Sequence, residues 1–120
     1  MTLTYWHNPR CSKSREGLAF LREKGIHPEV REYMTDVPTK GELEAVVDKL
    51  RLDSPRGMMR TKEAAYKAQG LADVTAAGAL IEAMIEEPRL IERPILVSET
   101  KAAIGRPTEK LLDAIPSGRS

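Results

Sequence analysis

The one cysteine of this chain, Cys11, stands among residues that can make a sulfur reactive. Arg10, Lys13 and Arg15 surround it, with His7 just before and Ser14 just after. Nearby positive charge favours the thiolate and depresses a thiol pKa below its reference of about 8.5, so the setting points to a nucleophile. His7 and Ser14 are candidate hydrogen-bond donors to the sulfur, although for His7 sequence proximity fits a purely structural histidine equally well. Cys11-Ser12-Lys13-Ser14 has the spacing of a dithiol redox motif with a hydroxyl in place of the second thiol. Serine cannot complete a disulfide, so any redox turnover needs a thiol from outside the chain. The competing role for a lone cysteine is that of a small buried hydrophobe, and the polar and basic neighbours argue against it here.

The elements around Cys11 support the same conclusion. Leu3 to Trp6 is a short β-prone run ended by His7-Asn8-Pro9, and Ser12 to Lys24 reads as an amphipathic helix stopped by Gly25. Cys11 falls where strand hands over to helix, facing first-turn N–H groups that no intrahelical carbonyl satisfies. After Pro28, Glu29 to Tyr33 alternates as a second strand and completes a βαβ unit, which crossover rules make parallel and right-handed. Thr39 opens a helix with a capping-box Glu42 and an apolar face of Leu43, Val46, Val47 and Leu50. Further helices are expected over 54–69 and 76–87. Pro94 to Val97 and Ala102 to Ile104 read as strands joined by a hairpin through Ser98 to Lys101, and Pro107 begins a last helix carrying Leu111, Leu112 and Ile115. The order predicts an α/β fold: a four-stranded mixed sheet with a helical insertion between a βαβ part and a ββα part.

With 120 residues, one domain over 1–116 is expected, with the insertion at about 39–91 and a short tail at 117–120. Nineteen basic residues against eighteen acidic ones, net +1, give no electrostatic footprint for nucleic acid or anionic lipid. No apolar run approaches the roughly 20 residues of a membrane helix, and the first ten residues lack a signal-peptide core, so a cytoplasmic protein is expected. No His and Cys cluster has metal-ligand spacing, so no metal is expected.

His7-Asn8-Pro9-Arg10-Cys11-Ser12-Lys13-Ser14-Arg15 resembles the active-site segment of the glutaredoxin-linked ArsC-family arsenate reductases. Glu92 to Val97, Gly105-Arg106-Pro107-Thr108-Glu109 with Leu112-Asp113, and Met58-Met59-Arg60 with Tyr66 and Leu71 resemble the family's later motifs in order and spacing. Nearly the whole chain is covered, and the resemblance is strongest to the family's YfgD-like branch. It implies a thioredoxin-like fold, Cys11 as catalytic nucleophile, Arg60, Arg93 and Arg106 as the oxyanion-binding arginines, and a cis peptide bond before Pro94 beside the cysteine. Guanidinium forks suit an arsenate oxyanion, because they stay charged and offer paired hydrogen bonds. Residue by residue, only Arg93 and Arg106 have independent support: each precedes a proline, which biases its backbone toward an extended form. Arg56, expected on the same helical face, is an alternative to Arg60.

By resemblance the reaction is reduction of arsenate to arsenite, with no bound cofactor, glutathione as co-substrate and glutaredoxin as partner. Ser12-Lys13 in place of the Gly-Thr of established family enzymes keeps a second function open: a thiol oxidoreductase acting on another oxyanion or on a glutathione mixed disulfide. An Spx-like RNA polymerase-binding regulator is disfavoured by the single cysteine and by the retained Gly105-Arg106-Pro107.

Overall fold

The computed structural model describes residues 2–115. They separate into two compact units, one formed by 2–36 with 93–115 and the other by 37–92. The expected tail at 117–120 lies outside the described residues.

In the first unit, β1 (Thr4–His7), α1 (Ser12–Glu23) and β2 (Glu29–Glu32) form the expected βαβ motif, and β3 (Ile95–Val97) and β4 (Ala102–Ile104) the expected hairpin. The sheet order is β2-β1-β3-β4, with β1 parallel to β2, antiparallel to β3, and β3 antiparallel to β4. This is the predicted mixed four-stranded sheet. Strand β1 runs one residue beyond the predicted end, because His7 still pairs in register with Glu32. Gly25, at φ +79°, ends α1 as expected; its N–H and that of Ile26 reach back to the carbonyls of Arg22 and Leu21.

The sheet and α1 enclose a core of Tyr5, Leu18, Leu21, Leu96, Ala103, Leu111 and Ala114. The last helical segment, Thr108–Ala114, is a 3-10 helix, and Pro107 precedes it at the capping position instead of entering its first turn. Its Leu111 is fully buried, and Leu112 and Ile115 pack against the core from the side. Gly17 is required by close packing: a Cβ there would collide with the Tyr5 hydroxyl and lie 3.0 Å from Pro94 Cγ and 3.1 Å from Leu111 Cδ1.

The second unit contains α2 (Lys40–Lys49), α3 (Ala64–Ala68) and α4 (Ala77–Glu86). The Thr39 capping box is present in both directions, Glu42 N–H to Thr39 Oγ1 at 3.2 Å and Thr39 N–H to Glu42 Oε1 at 2.8 Å. The single helix expected over 54–69 is not formed. A 3-10 turn (Pro55–Met58) is followed by extended backbone at Met59, which bridges Ile91, and then by the five-residue α3. The Arg60 N–H donates to the Leu90 carbonyl at 2.7 Å and the Glu92 N–H to the Met58 carbonyl at 2.8 Å, so a distant segment captures backbone groups that a continuous helix would have paired locally.

This break also corrects the alternative placed on Arg56. Its guanidinium donates to the Tyr66 hydroxyl, to the Leu71 carbonyl at 2.8 Å and to the Val74 carbonyl, fastening the turns after α3. Among the described residues no helix is long and apolar enough to cross a membrane.

Two substitutions test these packing claims by chemical denaturation. Gly17→Ala overpacks the α1 contact with the sheet and is expected to cost about 2 kcal/mol. Arg56→Ala leaves three acceptors without their shared donor and is expected to cost about 3 kcal/mol.

Candidate active site

The strand-to-helix turn of the first unit places the sulfur. The Cys11 N–H donates to the Asn8 carbonyl at 2.9 Å, and the Cys11 carbonyl accepts the Arg15 N–H at 3.0 Å, so the residue is both the end of the loop and the N-cap of α1. No side-chain oxygen caps this helix, which leaves its first-turn amides to act on the sulfur. Burial pushes the Cys11 thiol up. The amide of Ser14, the Arg93 guanidinium and the amide of Lys13 act in the opposite direction and together outweigh it, so the thiol lies below its ordinary value.

Arg93 is the direct charged partner: its Nε donates to Cys11 Sγ at 3.1 Å. The Arg93 carbonyl in turn accepts the Arg106 Nε at 3.0 Å, so the two pre-proline arginines meet at one edge of the site. Both following bonds, Arg93-Pro94 and Arg106-Pro107, are cis. The first agrees with the expectation drawn from resemblance; the second was not anticipated. Buried Pro94 accepts the Gly105 N–H on its carbonyl at 2.9 Å, and a Cβ on Gly105 would come within 2.9 Å of Pro94 Cγ and 2.8 Å of Leu111 Cγ. Close packing between the two proline segments is what brings Arg106 to Arg93.

His7 and Ser14 are both buried, and their side chains bond to each other. His7 Nδ1 lies 2.7 Å from Ser14 Oγ, which also accepts the Asn8 N–H at 2.9 Å. Of the two expected thiolate donors, Ser14 acts on the sulfur through its backbone amide, while its hydroxyl holds the loop. The His7 Nδ1 hydrogen bond goes to that hydroxyl instead of to the sulfur. Burial holds the imidazole below its ordinary value; Glu32 opposes this, and Arg22 and Arg15 reinforce it.

Arg60 belongs to the second unit, where it pairs with Glu63 at 3.2 Å and donates to the Arg89 carbonyl at 3.4 Å. Cys11, Arg93, Arg106, Pro94, His7 and Ser14 all fall in the first unit. Two contributors escaped the sequence reading. The Tyr5 hydroxyl donates to the Ser14 carbonyl at 2.6 Å, and Asn8 closes the loop through its backbone and through Oδ1, which accepts the Arg10 N–H at 3.1 Å. In the sequence Tyr5 reads as a strand residue, and Asn8 as part of the turn and of the active-site segment with no role of its own.

A βαβ-ββα sheet with a single depressed thiol at the head of its first helix defines a thioredoxin-like protein of the one-cysteine type. The chain belongs to the ArsC family, whose model matches residues 6–114. It is 47% identical over 107 residues to the arsenate reductase of Neisseria meningitidis serogroup A, covering 88% of this chain and 92% of that one. It is 46% identical over 111 residues to the uncharacterized protein YfgD of Escherichia coli K12, covering 92% and 93%. Among solved structures, the arsenate reductase from Vibrio cholerae matches with a TM-score of 0.91 and 45% identity over 96% of this chain and 98% of that one.

The electrostatic account has a direct test in the pH dependence of Cys11 alkylation. Alkylation follows the thiolate fraction, which rises as pH passes the thiol pKa, and a depressed pKa puts that rise at lower pH. Arg93→Ala removes charge and a hydrogen bond from the thiolate, so the midpoint of the rate profile is expected to move to higher pH. An unmoved midpoint would refute the role given to Arg93.

Proposed function

We propose that this protein is an oxidoreductase that reduces arsenate to arsenite through the Cys11 thiolate. The observation that carries the reading is the Arg93 Nε set 3.1 Å from Sγ, with Arg106 bonded behind it. That arrangement stabilises the attacking thiolate and provides fixed positive charge where an oxyanion meets it. The names and similarity of the arsenate reductases from Neisseria meningitidis and Vibrio cholerae support the same substrate.

In this reading the thiolate attacks the arsenic of protonated arsenate and water leaves, forming an S–As bond. A glutathione thiolate then attacks Sγ, and the S–As electron pair departs with arsenic, which is released as arsenite. The Cys11–glutathione disulfide that results is opened by a glutaredoxin thiol, regenerating the Cys11 thiolate. An outside thiol is needed because Cys11 is the only cysteine. Arg93 and Arg106 hold the oxyanion, Arg60 is assigned as the third arginine by family resemblance, and the reaction runs in the reducing cytoplasm. The structural roles proposed for His7 and Ser14 are to fix the turn and, through the Ser14 amide, to favour the thiolate. The Ser12-Lys13 departure motivates the competing reading, in which the substrate is another oxyanion or a glutathione mixed disulfide.

Arsenite formation from arsenate with glutathione, glutaredoxin, glutathione reductase and NADPH decides between them. Cys11→Ser is expected to abolish turnover. Arg93→Ala and Arg106→Ala are each expected to lower kcat/KM by about 10- to 100-fold, the loss of charge-assisted bonds to the oxyanion. Wild-type arsenite production at the enzyme-free background, beside brisk deglutathionylation, would replace arsenate with the mixed disulfide as substrate.

A further inference from the structure

An open groove of about 410 Å³ in the first unit is lined by His7, Arg15, Leu18, Ala19, Arg22 and Glu23. Its volume is in the range of small-molecule sites, about 300 to 1,000 Å³. Positions 15, 18, 19 and 22 recur at helical spacing and so share one face of α1, the helix that Cys11 caps. Leu18 and Ala19 supply an apolar strip, flanked by the exposed cations Arg15 and Arg22 and the exposed carboxylate Glu23. Among the described residues no carboxylate forms an ion pair with either arginine, and Arg15 donates to the Pro9 carbonyl at 2.8 Å. The field of both cations reaches the groove wall: behind burial and the opposing Glu32, Arg22 and Arg15 help hold His7 low.

The proposed turnover requires an incoming thiol, and the near end of this groove, Arg15, lies one helical turn from Cys11, whose carbonyl accepts the Arg15 N–H at 3.0 Å. We propose that the groove seats a γ-glutamyl thiol peptide of the glutathione type. Its α-carboxylate lies on Arg22, its ammonium on Glu23 and its C-terminal carboxylate on Arg15, so that the thiol points to Cys11. Residues 11 to 22 span about 16 Å of helix rise. The Arg22 side chain leans back toward the N-terminus and shortens that span, and the remainder suits a γ-glutamyl arm and cysteine side chain of roughly 10 Å extended. The proposal rests on the thiol-dependent turnover proposed above and adds the site where the thiol is recognised.

The test uses the purified full chain without arsenate. Cys11 attacks one sulfur of an added disulfide, forming a mixed disulfide and releasing the other half as a thiolate, and mass spectrometry follows the rate. Glutathione disulfide is compared with bis(2-hydroxyethyl) disulfide, which is neutral, and with dithiodipropionate, which carries carboxylates but no peptide. The rate ratio of glutathione disulfide to each comparator is expected to fall about tenfold in Arg22→Gln, the loss of one charge-assisted hydrogen bond. It is expected to fall in Glu23→Gln and to be partly retained in Arg22→Lys. Ratios unaltered by Arg22→Gln would overturn the proposal. So would an equal loss for glutathione disulfide and dithiodipropionate, which would mean attraction between charges without a seat. Because arsenate is absent, groove selectivity that persists in a protein with no arsenate turnover upholds the seat while removing arsenate as the substrate.

Discussion

The geometry of the site depends on one buried hydrogen bond, from the Tyr5 hydroxyl at the centre of β1 to the Ser14 carbonyl in the first turn of α1. It crosses from sheet to helix where Gly17, lacking a Cβ, lets the ring lie against the helix. Burial pushes the Tyr5 hydroxyl up, so it remains a donor throughout the working pH range. Because β1 also pairs with β3, Trp6 opposite Ile95, the strand that holds the start of α1 also fixes the entry to β3, where Arg93 lies. The 3.1 Å contact between Arg93 and the sulfur therefore follows from sheet register and one helix-to-sheet tie, not from the loop alone.

At the sulfur, burial and polarity oppose each other, and their balance sets the chemistry. Partial burial alone would keep the thiol protonated. Two amides and a guanidinium reverse that result without any acidic or basic side chain giving up a proton. Fixed donors of this kind need no reorganisation as charge redistributes at the sulfur, which is why preorganised dipoles and guanidinium groups suit the proposed step. Arginine suits it further because its planar guanidinium stays charged at any working pH.

Elements whose signals are local were legible in the sequence: β1, α1 and its glycine stop, the Thr39 capping box and the hairpin strands. The failures were non-local. Nothing within 54–69 announces that the backbone at Met58 and Arg60 pairs with Leu90 and Glu92, so a helical reading was natural there. That reading also put Arg56 on a face with Arg60, whereas Arg56 is occupied with Tyr66, Leu71 and Val74. In the site, the position of Cys11 and the depression of its thiol followed from helix-terminus chemistry. Arg93 and Arg106 were reached through family resemblance, because pre-proline bias restrains a backbone without saying what the side chain meets.

Ser14 shows how a spacing can be right and its reading incomplete. Read beside Cys11, it looks like a dithiol motif that has lost its second sulfur. In the fold, its fully buried hydroxyl receives the Asn8 N–H and contacts His7 Nδ1, tying the loop before the nucleophile to the helix after it. A thiol at that position is a weaker acceptor and a bulkier atom in a packed site. Replacing Ser14 by cysteine would therefore loosen the turn that presents Cys11 while supplying a sulfur committed to the loop. The serine is better understood as the pin of the nucleophile's turn than as a missing resolving cysteine.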